Sequence, residues 1–303
     1  MTNNIKIVSD SSCDLLALSG IPFASVPLHI LTASRDYTDE AGLDIDAMLD
    51  AWKASPGETG TSCPNVAEWL DAFGQADSVF AVTVSGALSG SYNAAVCAAR
   101  QYAQQHPGRR VWVLDSRSAG PELVLLLRRL RDLAVSGCAP EEIAAAAAAY
   151  QTQTQLLFLL SSVQNLVHTG RISALKARAV GLLGVRLLGT ADGEGQLALI
   201  SKARGEERAL TELAAQMQAR GWRGGDVVIT HCRNAAGAAR LKAQLLALCP
   251  GCRVTLLPAR GLCSYYAQEG GLLVGFEGTP AAQAQAAARA AMLCSVHMAG
   301  ATA

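Results

Sequence analysis

No run in the chain approaches the ~20 uncharged apolar residues that span a bilayer, although half of all residues are apolar. The opening residues, Met1 to Lys6, lack the apolar stretch of a secretory signal. The expectation is a soluble, cytoplasmic protein with no integral membrane segment. An excess of either charge is also missing, because 25 Lys and Arg are intermixed with 25 Asp and Glu. With no basic stripe to neutralise a phosphate backbone, nucleic acid is not expected as a partner. The nine cysteines are odd in number and follow no secretory signal, which argues for reduced thiols rather than a disulfide framework. The Gly/Ser loop at residues 84–92 matches neither the P-loop nor the dinucleotide fingerprint, and no cofactor is expected.

What the chain does contain is an alternation. At 303 residues it exceeds what one core usually supports. Short β-rich runs at residues 5–9, 79–83 and 111–114 alternate with helical stretches at 92–105 and 122–136, which predicts βαβ units and a parallel sheet. An alanine-rich helix over 140–153 suggests close packing or a connector between halves. A second half continues with strands at 156–160, 227–231, 253–257 and 272–276, and helices at 206–220, 235–248 and 280–294. The runs 186–188 and 196–201 flank an Asp192-Gly-Glu-Gly turn and read as an antiparallel pair, so the second sheet is expected to be mixed. The fold class expected is α/β in two domains, 1–155 with a mainly parallel sheet and 156–303 with a mixed one.

Two segments carry candidate binding chemistry. Thr61-Ser62-Cys63-Pro64-Asn65 precedes an amphipathic helix that bears Val66, Trp69, Leu70 and Phe73. Its hydroxyls are either helix caps or donors of a small anion site at the helix start. Val84-Ser85-Gly86-Ala87-Leu88-Ser89-Gly90-Ser91 leaves one strand and enters a helix. It is either a capped turn or a loop that lets a ligand approach beyond the strand's carboxyl end. Cys249-Pro-Gly-Cys252 has redox-site spacing but follows a helix instead of opening one, so it reads as a turn.

Taken in order, these and further motifs resemble the DegV family of fatty-acid-binding proteins over nearly the whole length. The matching pieces are Asp10-Ser11-Ser12-Cys13-Asp14, Thr61 to Pro64, Leu88 to Tyr92, Asp115-Ser116-Arg117, Asn165 to Ser173, and Lys202-Ala203-Arg204. The resemblance implies that Thr61 and Ser89, with Ser62 nearby, hold a long-chain fatty-acid carboxylate through their hydroxyls. It implies that Arg171 and Arg204 lie near the head group, and that a separate fatty-acid kinase phosphorylates the presented acid. Hydroxyl donors satisfy a carboxylate without burying a permanent cation, and a guanidinium fork suits phosphate oxygens.

The chain departs from the family pattern at Cys263, which stands where the family has a histidine, and at Arg186-Leu187, which replaces a Lys-Pro pair. A rival reading is a hydrolase that uses Cys263 or Ser89 as nucleophile. It lacks a recognisable base, since His29, His106, His168 and His297 stand in no motif and only His231 ends a strand. A second rival, a metal or redox module on Cys249, Cys252, Cys294 and His297, has ligands scattered over a turn and a terminal helix.

Overall fold

The computed structural model describes residues 4–33, 35–54, 57–173 and 184–278, and the backbone of 293–295. The first half opens with β1 (Ile5–Asp10), a 3-10 turn (Ser11–Cys13) and β2 (Phe23–Val26). An excursion follows: β3 (His29–Leu31), β4 (Asp36–Thr38), α1 (Ile45–Ala54) and β5 (Gly60–Ser62). Then come α2 (Val66–Phe73), β6 (Ser78–Thr83), α3 (Ser91–Gln105), β7 (Arg110–Asp115), α4 (Pro121–Val135) and α5 (Pro140–Gln151). The second half runs β8 (Thr154–Leu160), α6 (Gln164–His168), β9 (Val185–Ala191), β10 (Leu197–Arg204), α7 (Glu206–Ala219) and β11 (Asp226–His231). It closes with α8 (Ala235–Leu248), β12 (Arg253–Pro258), α9 (Gly261–Ala267), β13 (Leu272–Glu277) and β14 (Leu293–Ser295).

In the first sheet, ordered β14-β7-β6-β1-β2, the last four strands are parallel and β14 is antiparallel to β7. The second sheet, β10-β9-β8-β13-β11-β12, is mixed, with only β11 and β12 parallel. The α/β class and the parallel and mixed sheets thus follow the expectation. The excursion adds a small antiparallel sheet, β4-β3-β5. It was not foreseen, because three-residue strands are too short to show a period. The expected helix 280–294 lies mostly outside the described residues, but Leu293–Ser295 is a strand, where the ladder on the β7 edge overrides local helix propensity.

Strand alternation sorts the cores. On the first sheet, Ile7, Phe80, Val82, Trp112 and Leu114 face α4 and α5, while Val8, Val79, Ala81 and Val113 face α2 and α3. On the second, Leu157, Leu159, Val227, Ile229, Leu272 and Val274 face α7 and α8. The opposite face presents Leu156, Phe158 and Leu160 of β8 to α9 and the excursion. The run Leu123 to Leu127 in α4 is buried all round. The cause is position: α4 packs on the first sheet with Leu123, Leu126 and Leu127, and on β11 of the second through Val124, Leu125 and Val228.

The approach of α4 to the second sheet depends on Gly275 in β13. A β-carbon there would lie 2.6 Å from both Pro121 C and Glu122 N, which are backbone atoms that cannot rotate away. Gly275→Ala is expected to destabilise the protein by about 1–3 kcal/mol through overpacking, measured as a lower urea midpoint with an unchanged slope.

Candidate functional site

A narrow apolar slot opens between the halves, a concave and largely hydrophobic site of the kind that takes small molecules. The second half lines it with Leu156, Phe158 and Leu160 from β8, and with Leu166, Leu197 and Leu273; the first half adds Leu28, Val84, Leu88 and Ala119. Its polar groups are few: the hydroxyls of Thr61, Ser89 and Tyr266, the Cys263 thiol and the Arg171 guanidinium.

Each of these is held by a specific device. At the end of β1 the buried Asp10 carboxylate accepts from Val84 N at 2.9 Å, Ser91 Oγ at 2.6 Å and Ser12 Oγ. That pins both ends of the Gly/Ser loop, and within it the amides of Leu88 and Ser89 donate to Ser85 O at 3.0 and 3.1 Å. The β9–β10 hairpin tip closes over the loop, with Ser85 Oγ donating to Gly195 O at 2.8 Å. Ser89 Oγ accepts from Ser91 N at 3.3 Å, at the start of α3, and Ser89 also lines the slot.

Thr61 lies on β5, opposite Ile30, and its Oγ1 is 2.8 Å from Tyr266 Oη. The expectation of a helix start at Thr61 and Ser62 is corrected here, because the cap of α2 is Asn65. Asn65 Oδ1 accepts from Glu68 N at 3.0 Å, and Asn65 N donates to Glu68 Oε2 at 2.7 Å. This reciprocal box outcompetes a hydroxyl three residues earlier. Period-two alternation on β5 then turns Thr61 to the slot and leaves Ser62 exposed, outside it.

Helix α9 supplies Leu262, Cys263, Tyr266 and Ala267 to the slot. Its amino end is set by two buried carboxylates: Asp39 accepts from Gly261 N and Leu262 N, both at 2.9 Å, and Asp14 accepts from Arg260 N at 2.7 Å. Tyr265 hydrogen-bonds Thr59 Oγ1 at 2.8 Å, and its carbonyl accepts from Asn165 Nδ2 at 2.6 Å. Sequence reasoning passed over Tyr266. The only available signal was its place in the segment around Cys263.

The turn at Thr169-Gly170, with Gly170 at φ 75°, aims Arg171. The guanidinium donates to Thr169 O at 2.6 Å and, through Nε, to Leu88 O at 3.2 Å, beside Ser89. Arg204 is not brought to this group; it is exposed at the end of β10 and does not line the slot.

Cys263 donates its thiol to Ser12 O at 3.3 Å. Burial pushes that thiol well above its usual range, and the neighbouring Asp14 carboxylate adds to the effect, which makes it a poor nucleophile. Among the described residues neither Cys263 nor Ser89 hydrogen-bonds a histidine, and His231 does not line the slot. Among the described residues no cluster of three or more metal-ligating side chains forms. Cys249 and Cys252 are free and flank a turn in which Cys252 N donates to Cys249 O at 3.1 Å. The Cys294 side chain and His297 lie outside the described residues. No helix among those residues is long and apolar enough to cross a membrane.

Two α/β sheets meet over this slot, and its hydroxyls come from a strand, a loop and a helix; the fold itself is shared with known proteins. The DegV family model, described as "Uncharacterised protein, DegV family", matches residues 4–277. A DegV domain-containing protein of Streptococcus pneumoniae is 40% identical over 276 residues, covering 90% of this chain and 98% of that one. The chain therefore belongs to the DegV family. Among solved structures, the Streptococcus pneumoniae Fatty Acid Kinase (Fak) B3 protein loaded with linoleic acid is 40% identical. It has a TM-score of 0.88 and covers 90% of this chain and 99% of its own. A DegV family protein from Eubacterium eligens loaded with heptadecanoic acid is 38% identical with a TM-score of 0.89 and the same coverages.

Burial pushes the Asp14 carboxyl up to about 7, and the nearby Asp39 charge pushes the same way. The folded chain therefore binds this proton more readily than the unfolded chain, whose aspartates titrate near ~3.9. Asp14's contribution to stability is complete below about pH 4 and is lost as pH rises through about 7. Burial raises Asp10 and Asp39 as well, with the same sign. Asp14→Asn is expected to flatten the decline in denaturant-measured stability between about pH 4 and 7; an unchanged pH profile would sink the assignment.

Proposed function

We propose that this protein binds a long-chain fatty acid in the slot, with the carboxylate held by Thr61 and Ser89 beside Arg171, and presents it to a separate fatty-acid kinase. The observation that carries the reading is an almost wholly apolar slot whose hydroxyls sit where two separate segments meet. A β-carbon on Gly90 would lie 3.0 Å from Cys63 Sγ, so the loop bearing Ser89 approaches the end of the strand bearing Thr61. The two relatives loaded with linoleic and heptadecanoic acids, at 40% and 38% identity, support it.

The energetics are consistent with a carrier. Burying ~14 methylenes at about 0.8 kcal/mol each gives roughly 11 kcal/mol gross, from which ordering and association costs are subtracted. The tail supplies affinity, and the hydroxyls fix which end faces outward. Ser62, exposed beside Thr61, and Arg204, exposed at the end of β10, fit contacts made after presentation to the kinase better than contacts with the buried acid. Cys263 in place of a histidine removes a titratable imidazole from the slot wall. A hydrolytic reading through Cys263 or Ser89 finds no base bonded to either among the described residues, and a panel of p-nitrophenyl esters is expected to show no turnover.

Organic extraction of the purified protein followed by mass spectrometry is expected to release a long-chain acid. Recovery of none, together with no uptake of added acid, overturns the proposal. Thr61→Val and Ser89→Ala each remove one donor to a charged acceptor, worth about 1.5–3 kcal/mol, so each is expected to weaken binding by roughly tenfold to a hundredfold. Arg204→Ala is expected to leave acid binding unchanged and to slow phosphorylation in the presence of the kinase.

A further inference from the structure

In the antiparallel ladder between β8 and β9, Phe158 stands directly opposite Gly189. The phenyl ring is 3% exposed and lines the slot between Leu156 and Leu160. A β-carbon on Gly189 would fall onto ring atoms Cζ and Cε2 of Phe158, well inside van der Waals contact. Gly189 does not have positive φ, so no turn conformation demands glycine in the middle of this strand. Glycine in a strand interior weakens it and marks a place where something approaches closely. Here the Phe158 ring is what approaches, seated in the hollow that a side chain would otherwise fill.

We infer that the Phe158–Gly189 pair determines which acyl tails the slot accepts, an inference that rests on the fatty-acid reading above. With the ring seated over Gly189, the slot keeps its present bore. Any side chain at 189 must push the ring out of its hollow, and Ala198 O, 2.6 Å from the same β-carbon position, closes the other side of that hollow. The ring then moves into the slot and excludes tail atoms. Removing the ring does the opposite, opening room for about two further methylenes or for a bent tail. Each accommodated methylene is worth about fourfold in affinity, so two are worth on the order of tenfold.

The test compares binding of tetradecanoic, octadecanoic, cis-octadecenoic and eicosanoic acids to the full chain and its variants. Because Ala198 O also crowds residue 189, the informative quantity is the ratio of affinities between acids and not their absolute strength. Phe158→Ala is expected to shift the eicosanoic-to-tetradecanoic ratio by about tenfold toward the longer acid. Phe158→Leu, which keeps most of the buried volume and guards against a variant that fails to fold, should shift it in the same direction by less. Gly189→Ala should shift it toward tetradecanoic acid, and adding Phe158→Leu to Gly189→Ala should return the ratio toward that of the unmodified protein, a rescue that a merely structural defect does not produce. If the unmodified chain binds none of the four acids, the fatty-acid reading fails. If it binds them and the Phe158→Leu and Gly189→Ala ratios equal its own, this inference alone is overturned.

Discussion

The buried carboxylate of Asp10 is the interaction on which the site most depends. A carboxylate without water requires several donors to offset its lost hydration, and Asp10 takes them from Ser12, Val84 and Ser91. Those donors come from three places: the turn after β1, the end of β6 and the start of α3. Burial disfavours the ionised form of Asp10, and the hydrogen bonds from Ser12, Ser91 and Val84 work against that cost, which they do only when all three segments converge. Asp39 applies the same principle to α9, where its two oxygens receive the amides of Gly261 and Leu262. Tyr266 then reaches Thr61 because α9 is fixed in rotation, and Ser89 holds its place because the Gly/Ser loop is fixed at both ends.

The two sheets are not independent lobes joined by a linker. Helix α4 is buried against both, and Glu122 in its first turn accepts from Ser118 Oγ at 2.5 Å and from Thr154 Oγ1 at 2.8 Å. One carboxylate thus bridges a loop of the first half and the opening residue of β8 in the second. A slot lined from both halves requires such a connection, because relative motion of the sheets would change its width directly. Gly275 contributes by absence, letting the α4 backbone come close to β13.

Much of the architecture was legible in the sequence because buried strands and long helices carry their own periodicity. The alternation from β6 to α4 and the hairpin around Asp192 are examples, since runs such as Ser78–Thr83 have apolar side chains on both faces. The excursion of β3, β4, α1 and β5 was not legible; its strands are three residues long and are specified by pairing with one another. Ser62 illustrates the consequence. Read as part of a helix start, it shares a role with Thr61; placed on a strand, the two residues face opposite ways. Thr61, Ser89, Arg171 and Cys263 were found through motif order, and the structure brings all four to one slot. Tyr266 escaped notice because nothing local in its sequence reveals that a short helix from the far end of the chain packs onto β5.

On the proposed reading, Arg171 is the residue that lets a slot so poor in polar groups attract an acid. Its guanidinium carries five N–H donors, and those with partners bond to the carbonyls of Thr169 and Leu88, with no carboxylate paired to it among the described residues. Carbonyl acceptors hold the fork in place without cancelling its charge, so a positive potential persists beside Ser89. In the partly desolvated mouth of an apolar slot that potential is screened less than at an open surface. On the proposed reading it draws the carboxylate in, while Thr61 and Ser89 supply the directional bonds that orient it. A hydroxyl pair alone would give orientation with little attraction, and a buried lysine or arginine in direct bidentate contact would hold the acid too firmly for transfer. On the same proposed reading, dividing the two tasks between a tethered guanidinium and two neutral donors suits a ligand that binds and is then handed on.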